Sequence, residues 1–156
     1  MTTTIHIKSW DELSRDDLYE LIRLRLAVFV VEQNCPYQDA DNKDQKSIHV
    51  LMRDAEGELV GCARLVKPGV SYTEWSIGRV VIAETIRKQG KGQELMQACL
   101  KYLKSLTESS PVRISAQYYL LDFYTQIGFN ALSDIYLEDN IPHIEMLLNN
   151  YDKIID

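Results

Sequence analysis

Only three cysteines occur in the 156 residues, Cys35, Cys62 and Cys99, and no two of them make a C-x-x-C pair. An odd number at such wide spacing suggests neither a disulfide framework nor a zinc ribbon, and it fits a reducing compartment, so the expected location is cytoplasmic. Long apolar runs are also missing. The longest aliphatic stretch, Leu26 to Val31, is far too short to cross a bilayer, and "MTTTIHIKSW" has no long apolar core after a basic start. Positive charge is in deficit, with 17 Lys and Arg against 23 Asp and Glu, a formal net charge of -6. Phosphate backbones reward broad positive surfaces, so no nucleic acid is expected as partner, and any basic cluster must be local.

What is present suffices for one globular domain spanning residues 1–156, with 46% apolar residues to pack a core on two sides. "TIHIKSW" alternates as a half-buried strand. Ser14 before Asp16 and Asp17 predicts a helix N-cap, and Leu18, Leu21, Ile22, Leu26 and Phe29 carry that helix from about 15 to about 30. "IHVLMR" and "LVGCARLV" read as a hairpin turning at "DAEGE", and "WSIGRVVIA" as a strand covered on both faces. A second helix follows "RKQGKG", with Leu95, Met96, Cys99, Leu100 and Leu103 as its buried stripe. "VRISAQ" is a strand, "YYLLDFYTQIGF" a short helix closed by Gly128, "NALSDIYLED" a strand and turn, and "IPHIEMLL" a terminal strand. The predicted class is α/β with a mixed, mostly antiparallel sheet flanked by helices.

"RKQGKG" concentrates three cations and two glycines between a strand and a helix. Free N–H groups and a positive dipole at a helix start, with glycines that let the main chain come close, make an anion cradle; a solvated helix cap is the plain alternative. The loop lacks the GK[ST] of a Walker A motif and the third glycine of a dinucleotide fingerprint, so neither a nucleoside triphosphate nor NAD is favoured.

The longer stretch "VVIAETIRKQGKGQELM" is similar to the signature of the GNAT superfamily of acyl-CoA-dependent N-acetyltransferases, in which a strand leads to R/Q-x-x-G-x-G/A and a helix. Arg87, Gly90 and Gly92 fill the three defining places. "FYTQIGF" resembles the second hallmark of that family, and the order of elements matches along nearly the whole chain. "VFVVEQNCPYQDAD" with "DNIPHI" looks like the ElaA-like subgroup. Gln117 stands where the superfamily often has Asn, and Leu120 where Ala is common. The resemblance implies acetyl-CoA as acyl donor and no metal. Main-chain groups of Val80, Val81 and Ile82 would hold the pantetheine arm, and the amides of Arg87, Lys88, Gln89, Gly90, Lys91 and Gly92 the pyrophosphate. Gln117 would lie against the cofactor, and Tyr124 would face the sulfur as general acid. It also implies that the strand carrying Ile82 splays from the strand carrying Gln117.

For the base, Glu32 leads, because it follows an apolar helix and precedes a loop on the expected acceptor side; Glu84, Glu74 and an ordered water are rivals. "DADNKD" is not an EF-hand loop, since Asp44 and Val50 occupy the places of its Gly and Glu. It reads as a solvated acidic loop, or as one in which Glu32, Asp39 and Asp41 attract a cationic amine. His49 and His143 read as structural histidines inside strands, with a proton relay as the alternative for His143. Cys35 reads as a small apolar residue, since direct transfer needs no acyl-enzyme. The expected function is acetyl transfer from acetyl-CoA to a primary amine of a small molecule or peptide by direct attack in a ternary complex. A non-catalytic acyl-CoA sensor or recruiting module remains the alternative, and pairing of two copies as a homodimer through an exposed edge strand stays open.

Overall fold

The computed structural model describes residues 1–154. Strands β1 (Thr3–Ser9), β2 (Ser47–Asp54), β3 (Leu59–Val66) and β4 (Ser76–Ile82) form an antiparallel sheet in that order. A second sheet has β5 (Val112–Gln117) against β8 (Ile141–Leu148), with the short β6 (Asn130–Ala131) and β7 (Tyr136–Glu138) on the far edge of β8. The class is therefore the expected one, α/β with mostly antiparallel strands. The segment 130–139 differs from expectation in giving two short strands, because each follows β8 for only a few residues.

Helices cover both faces of the first sheet. On one, α2 (Lys91–Thr107) buries the expected stripe of Leu95, Met96, Cys99, Leu100 and Leu103 against Val50, Leu65 and Ile77. On the other, α1 (Arg15–Arg25) starts at Ser14, whose Oγ accepts from the Asp17 N–H at 2.9 Å, and packs Leu21 against Leu51, Cys62 and Val81. Expected to run on regularly to about residue 30, this helix instead widens over Leu26–Glu32. There Gln33 N–H donates to the Val28 carbonyl and Cys35 N–H to the Val30 carbonyl, each five residues back. Consecutive β-branched and aromatic side chains crowd a tighter helix, and such wide turns recur beside functional sites.

The two sheets touch through β4 and β5, which run parallel and join only where Trp75 meets Val112, the Arg113 N–H donating to the Trp75 carbonyl at 2.8 Å. Beyond that point they separate. Strand β4 also carries a bulge, since Cys62 faces Val81 while Arg64 faces Gly78, and Arg79 takes the extra place at φ 51°. Helix α3 (Leu121–Ile127) lies beyond the end of β5 and stops at Gly128, φ 128°.

Candidate active site

The gap between the diverging strands opens into a cleft of about 450 Å³ lined by both strands, the widened end of α1, α3 and the turn between β7 and β8. Strand β4 is paired with β3 on one side only, so past Trp75 alternate main-chain groups on its other edge face the cleft without a partner strand. Val80, Val81, Ile82, Arg87, Gly92, Gln117, Tyr124 and Glu32 all line this space. The cleft thus brings together most of the residues singled out from the sequence.

At its open end lies the loop before α2. Gly90 has φ 74° and serves as N-cap, a backbone conformation that costs a side-chain-bearing residue and not glycine. The first bond of α2 runs from Glu94 N–H to the Gly90 carbonyl, which leaves the N–H groups of Lys91, Gly92 and Gln93 outside the helical ladder. A Cβ built on Gly92 would sit 3.5 Å from the Phe123 ring, an ordinary contact. Internal packing therefore does not require glycine at 92, whereas a ligand lying on the loop would.

The three cations of the loop are not equally free. The Arg87 guanidinium grips Glu32 at 2.6 and 2.9 Å, and its Nε donates to the Ile82 carbonyl at 3.0 Å. Lys91 turns away to Thr3 and Glu94, which leaves Lys88 the least engaged. Bound by Arg87, the Glu32 carboxyl is held below the usual carboxylate range. Next to it, Gln33 and Gln117 exchange two amide hydrogen bonds of 3.2 Å, so residues 32 and 33 reach both walls of the cleft mouth. Of the rival bases, Glu74 is occupied by Arg113, and Glu84 starts a single turn after β4.

Tyr124 is buried among Phe123 and Phe129, whose rings meet it edge-on at 5.0 and 5.8 Å. Burial pushes its phenol pKa far up, so the hydroxyl keeps its proton at any ordinary pH.

The acidic loop is not solvated, contrary to the plain reading of "DADNKD". Asp39 and Asp44 are buried, at 3% and 6% exposure, and with Asp41 they bind three arginines from three elements. Arg25 donates to Asp39 and Asp44, Arg64 to Asp41 and Asp44, and Arg79 to Asp39 and Asp41. Three carboxylates face three guanidiniums, so the loop offers little net charge to a cationic acceptor. Tyr37 donates to Asp39 at 2.6 Å, and Arg79 lies over its ring. This cluster fixes the Cys35–Tyr37 wall of the cleft, and the sequence reading missed its arginines; the available signal was Arg25, one turn after Leu21 on an apolar helix face.

A sequence model described as an acetyltransferase (GNAT) domain matches residues 15–149. The chain belongs to the GNAT family. Within it the chain is ElaA-like: protein ElaA of Escherichia coli is 43% identical over 137 residues, covering 86% of this chain and 89% of that one. The crystal structure of that ElaA superposes with a TM-score of 0.88 at 39% identity, over 94% of this chain and 99% of that one. An acyl-CoA N-acyltransferase from Pseudomonas aeruginosa gives 0.89 at 38% identity with the same two coverages. The splayed strands and the glycine loop are therefore set in a GNAT acyltransferase fold. Among the described residues no helix is long and apolar enough to cross a membrane, and no group of histidine, cysteine and carboxylate side chains could hold a metal ion.

Proposed function

We propose that this GNAT chain works as one domain that transfers an acetyl group from acetyl-CoA to a primary amine of a small molecule or peptide, by direct attack in a ternary complex. The observation that carries this reading is the cleft itself: an edge strand with free main-chain groups leads from a loop of free amides to a buried tyrosine. Val80, Val81 and Ile82 hold the pantetheine arm as an added strand would be held, and the amides of Lys88–Gly92 take the pyrophosphate, the Arg87 N–H being turned instead to the Glu84 carbonyl at 3.4 Å. Gln117 lies against the arm from β5. Tyr124 donates a proton or hydrogen bond to the departing sulfur, for which a phenol that stays protonated is suited.

Glu32 fits a different task from the base expected of it. A carboxylate held down by Arg87 is a poor proton acceptor, and it occupies the guanidinium nearest the phosphates. The Glu32→Gln variant should keep kcat within about threefold, and it should bind acetyl-CoA up to about fivefold tighter, since an exposed pair is worth ~0–1 kcal/mol. A kcat loss of a hundredfold with donor affinity unchanged would restore Glu32 as the base.

The test of the whole reading is calorimetric titration of acetyl-CoA into the wild-type protein and Gly92→Asp, with coenzyme A release followed across a panel of amines. Saturable binding should weaken by about tenfold or more in the variant, where a carboxylate meets the phosphates, and release should depend on an amine. Binding without release for every amine would favour a sensor, and no binding at millimolar donor would remove the reading.

A further inference from the structure

We infer that His143 is the residue that takes the proton from the acceptor amine, with Glu138 holding the imidazolium that results. This rests on the acetyltransferase reading above and deepens it. His143 lies on β8, lines the cleft and is 6% exposed. Its Nδ1 is 2.6 Å from the Ile141 carbonyl. A carbonyl oxygen carries no proton, so Nδ1 is the N–H and the basic lone pair is on Nε2. That nitrogen is 3.4 Å from Glu138 Oε2, a distance over which the two can close once Nε2 is protonated.

The placement relative to Tyr124 gives the pair a role. Side chains alternate along β5, and Ile114 and Ala116 face the core that contains Tyr124, while Ser115 and Gln117 face the other way. His143 stands opposite Gln117 in the β5–β8 ladder and Tyr136 stands opposite His143, so the histidine shares the face of Ser115 and Gln117. The tyrosine and the histidine are therefore on opposite faces of the second sheet, and the gap between β4 and β5 is the passage between them. An acceptor entering from the histidine face meets the thioester carbonyl from the side away from the tyrosine.

The charged and titratable groups around the imidazole agree with this. From β7 come Glu138 and Tyr136, whose ring stacks on it with centroids 6.2 Å apart. Tyr136 and Glu138 both reach Ser115 Oγ on β5. Along β8, Glu145 is engaged by Arg113 at 3.6 Å. Across the cleft Arg79 is matched by Asp39 and Asp41, Cys35 and Asp139 also line the space, and Glu138 is the carboxylate that comes within 3.4 Å of the imidazole.

The step balances as follows. The ammonium group gives one proton to Nε2, and the freed lone pair forms the C–N bond as the carbonyl π electrons move to oxygen. When they return, the C–S bond breaks and its electron pair leaves on sulfur, which takes the Tyr124 proton. The second proton lost by nitrogen restores Tyr124 through water, and His143 passes its proton to solvent. One proton is released per acetyl group transferred.

The His143→Gln variant tests this, with kcat/KM measured from pH 6 to pH 10 on an amine selected by the wild-type protein. At pH 7 the expected loss is about a hundredfold. It should shrink with rising pH, because a lysine-like amine with a pKa of about 10.4 then supplies its own neutral form. Glu138→Gln, at a half-exposed site, should lose about tenfold by removing the carboxylate that faces Nε2, while acetyl-CoA binding by calorimetry stays unchanged in both variants. Nitrogen-15 NMR of the free wild-type protein should show the Nδ1–H tautomer. A loss constant across pH would make His143 structural, and unchanged turnover or the opposite tautomer would overturn the proposal while leaving the acetyltransferase reading intact. Absence of turnover with every amine by the wild-type protein would overturn both.

Discussion

Asp44→Asn should cost the folded chain about 3–5 kcal/mol, read from urea denaturation, and lower the melting temperature by roughly 10 °C. The Asp44 carboxylate accepts from Arg25 at 2.9 and 3.2 Å and from Arg64 at 2.9 Å, and all three residues are buried. An amide keeps the shape and removes the charge, so three guanidiniums remain with two carboxylates, and the two that lose their partner, Arg25 and Arg64, are buried. The pH dependence follows with a definite sign. Burial raises the Asp44 and Asp41 pKa values, but Arg25 and Arg64 more than offset it at Asp44, and Arg64, the Lys43 N–H and Arg79 at Asp41, so both carboxyls end below their ordinary range. Groups lowered in the folded state contribute stability above the unfolded pKa of about 3.9, and that contribution disappears as pH falls through the folded values. His49 adds a window at higher pH. Burial lowers its pKa, and its Nε2–H is spent on the Asp44 carbonyl at 2.8 Å, so stability begins to decline as pH drops below about 6.5. The wild-type protein should thus lose stability in two steps on acidification, and Asp44→Asn should flatten the lower one. A variant within about 1 kcal/mol of wild type at pH 7 would mean that the cluster is rehydrated in solution.

The same cluster shows where sequence reading stops. Periodicity located the strands and helices because burial repeats every two residues along β5 and every three or four along α2, as Leu95, Cys99 and Leu103 show. The glycine loop was legible because its logic is local: a turn, free amides and a helix start within six residues. The ion cluster is different, for its partners lie 14 to 40 residues apart, the arginines on α1, β3 and β4 and the carboxylates in the segment before β2. Taken one at a time, three aspartates near a proline look like surface, and Arg64 inside "LVGCARLV" looks like an interruption. Only the bulge at Arg79 and the widened end of α1 bring those charges into register, and neither leaves a mark in composition. The Arg87 partner of Glu32, the candidate base, was hidden for the same reason, since the two meet across 55 residues. The tautomer of His143 depends on a carbonyl two residues away, and no residue-type pattern records it.

Tyr124→Phe should lower kcat by about a hundredfold while KM for acetyl-CoA and the calorimetric affinity stay near wild type. The substitution is a clean one. The ring contacts to Phe123 and Phe129 are kept, and the Tyr124 hydroxyl makes no hydrogen bond with another described residue, so its removal leaves no buried partner unpaired. Stability should therefore change by less than about 1 kcal/mol, and a lost rate reports chemistry and not unfolding. Since burial raises the phenol pKa far beyond the working range, the wild-type enzyme should show no loss of activity from tyrosinate at high pH, and the variant's deficit should be the same factor from pH 6 to pH 10. That flat profile contrasts with the closing gap expected of His143→Gln, because the leaving sulfur needs its proton at every pH whereas the amine needs relief of its own only below its pKa. Two variants on opposite faces of one sheet thus separate the two proton transfers by the slopes of their profiles. A Tyr124→Phe variant with full turnover across the range would leave the sulfur to be protonated by water, and the buried tyrosine would then be a packing residue of α3.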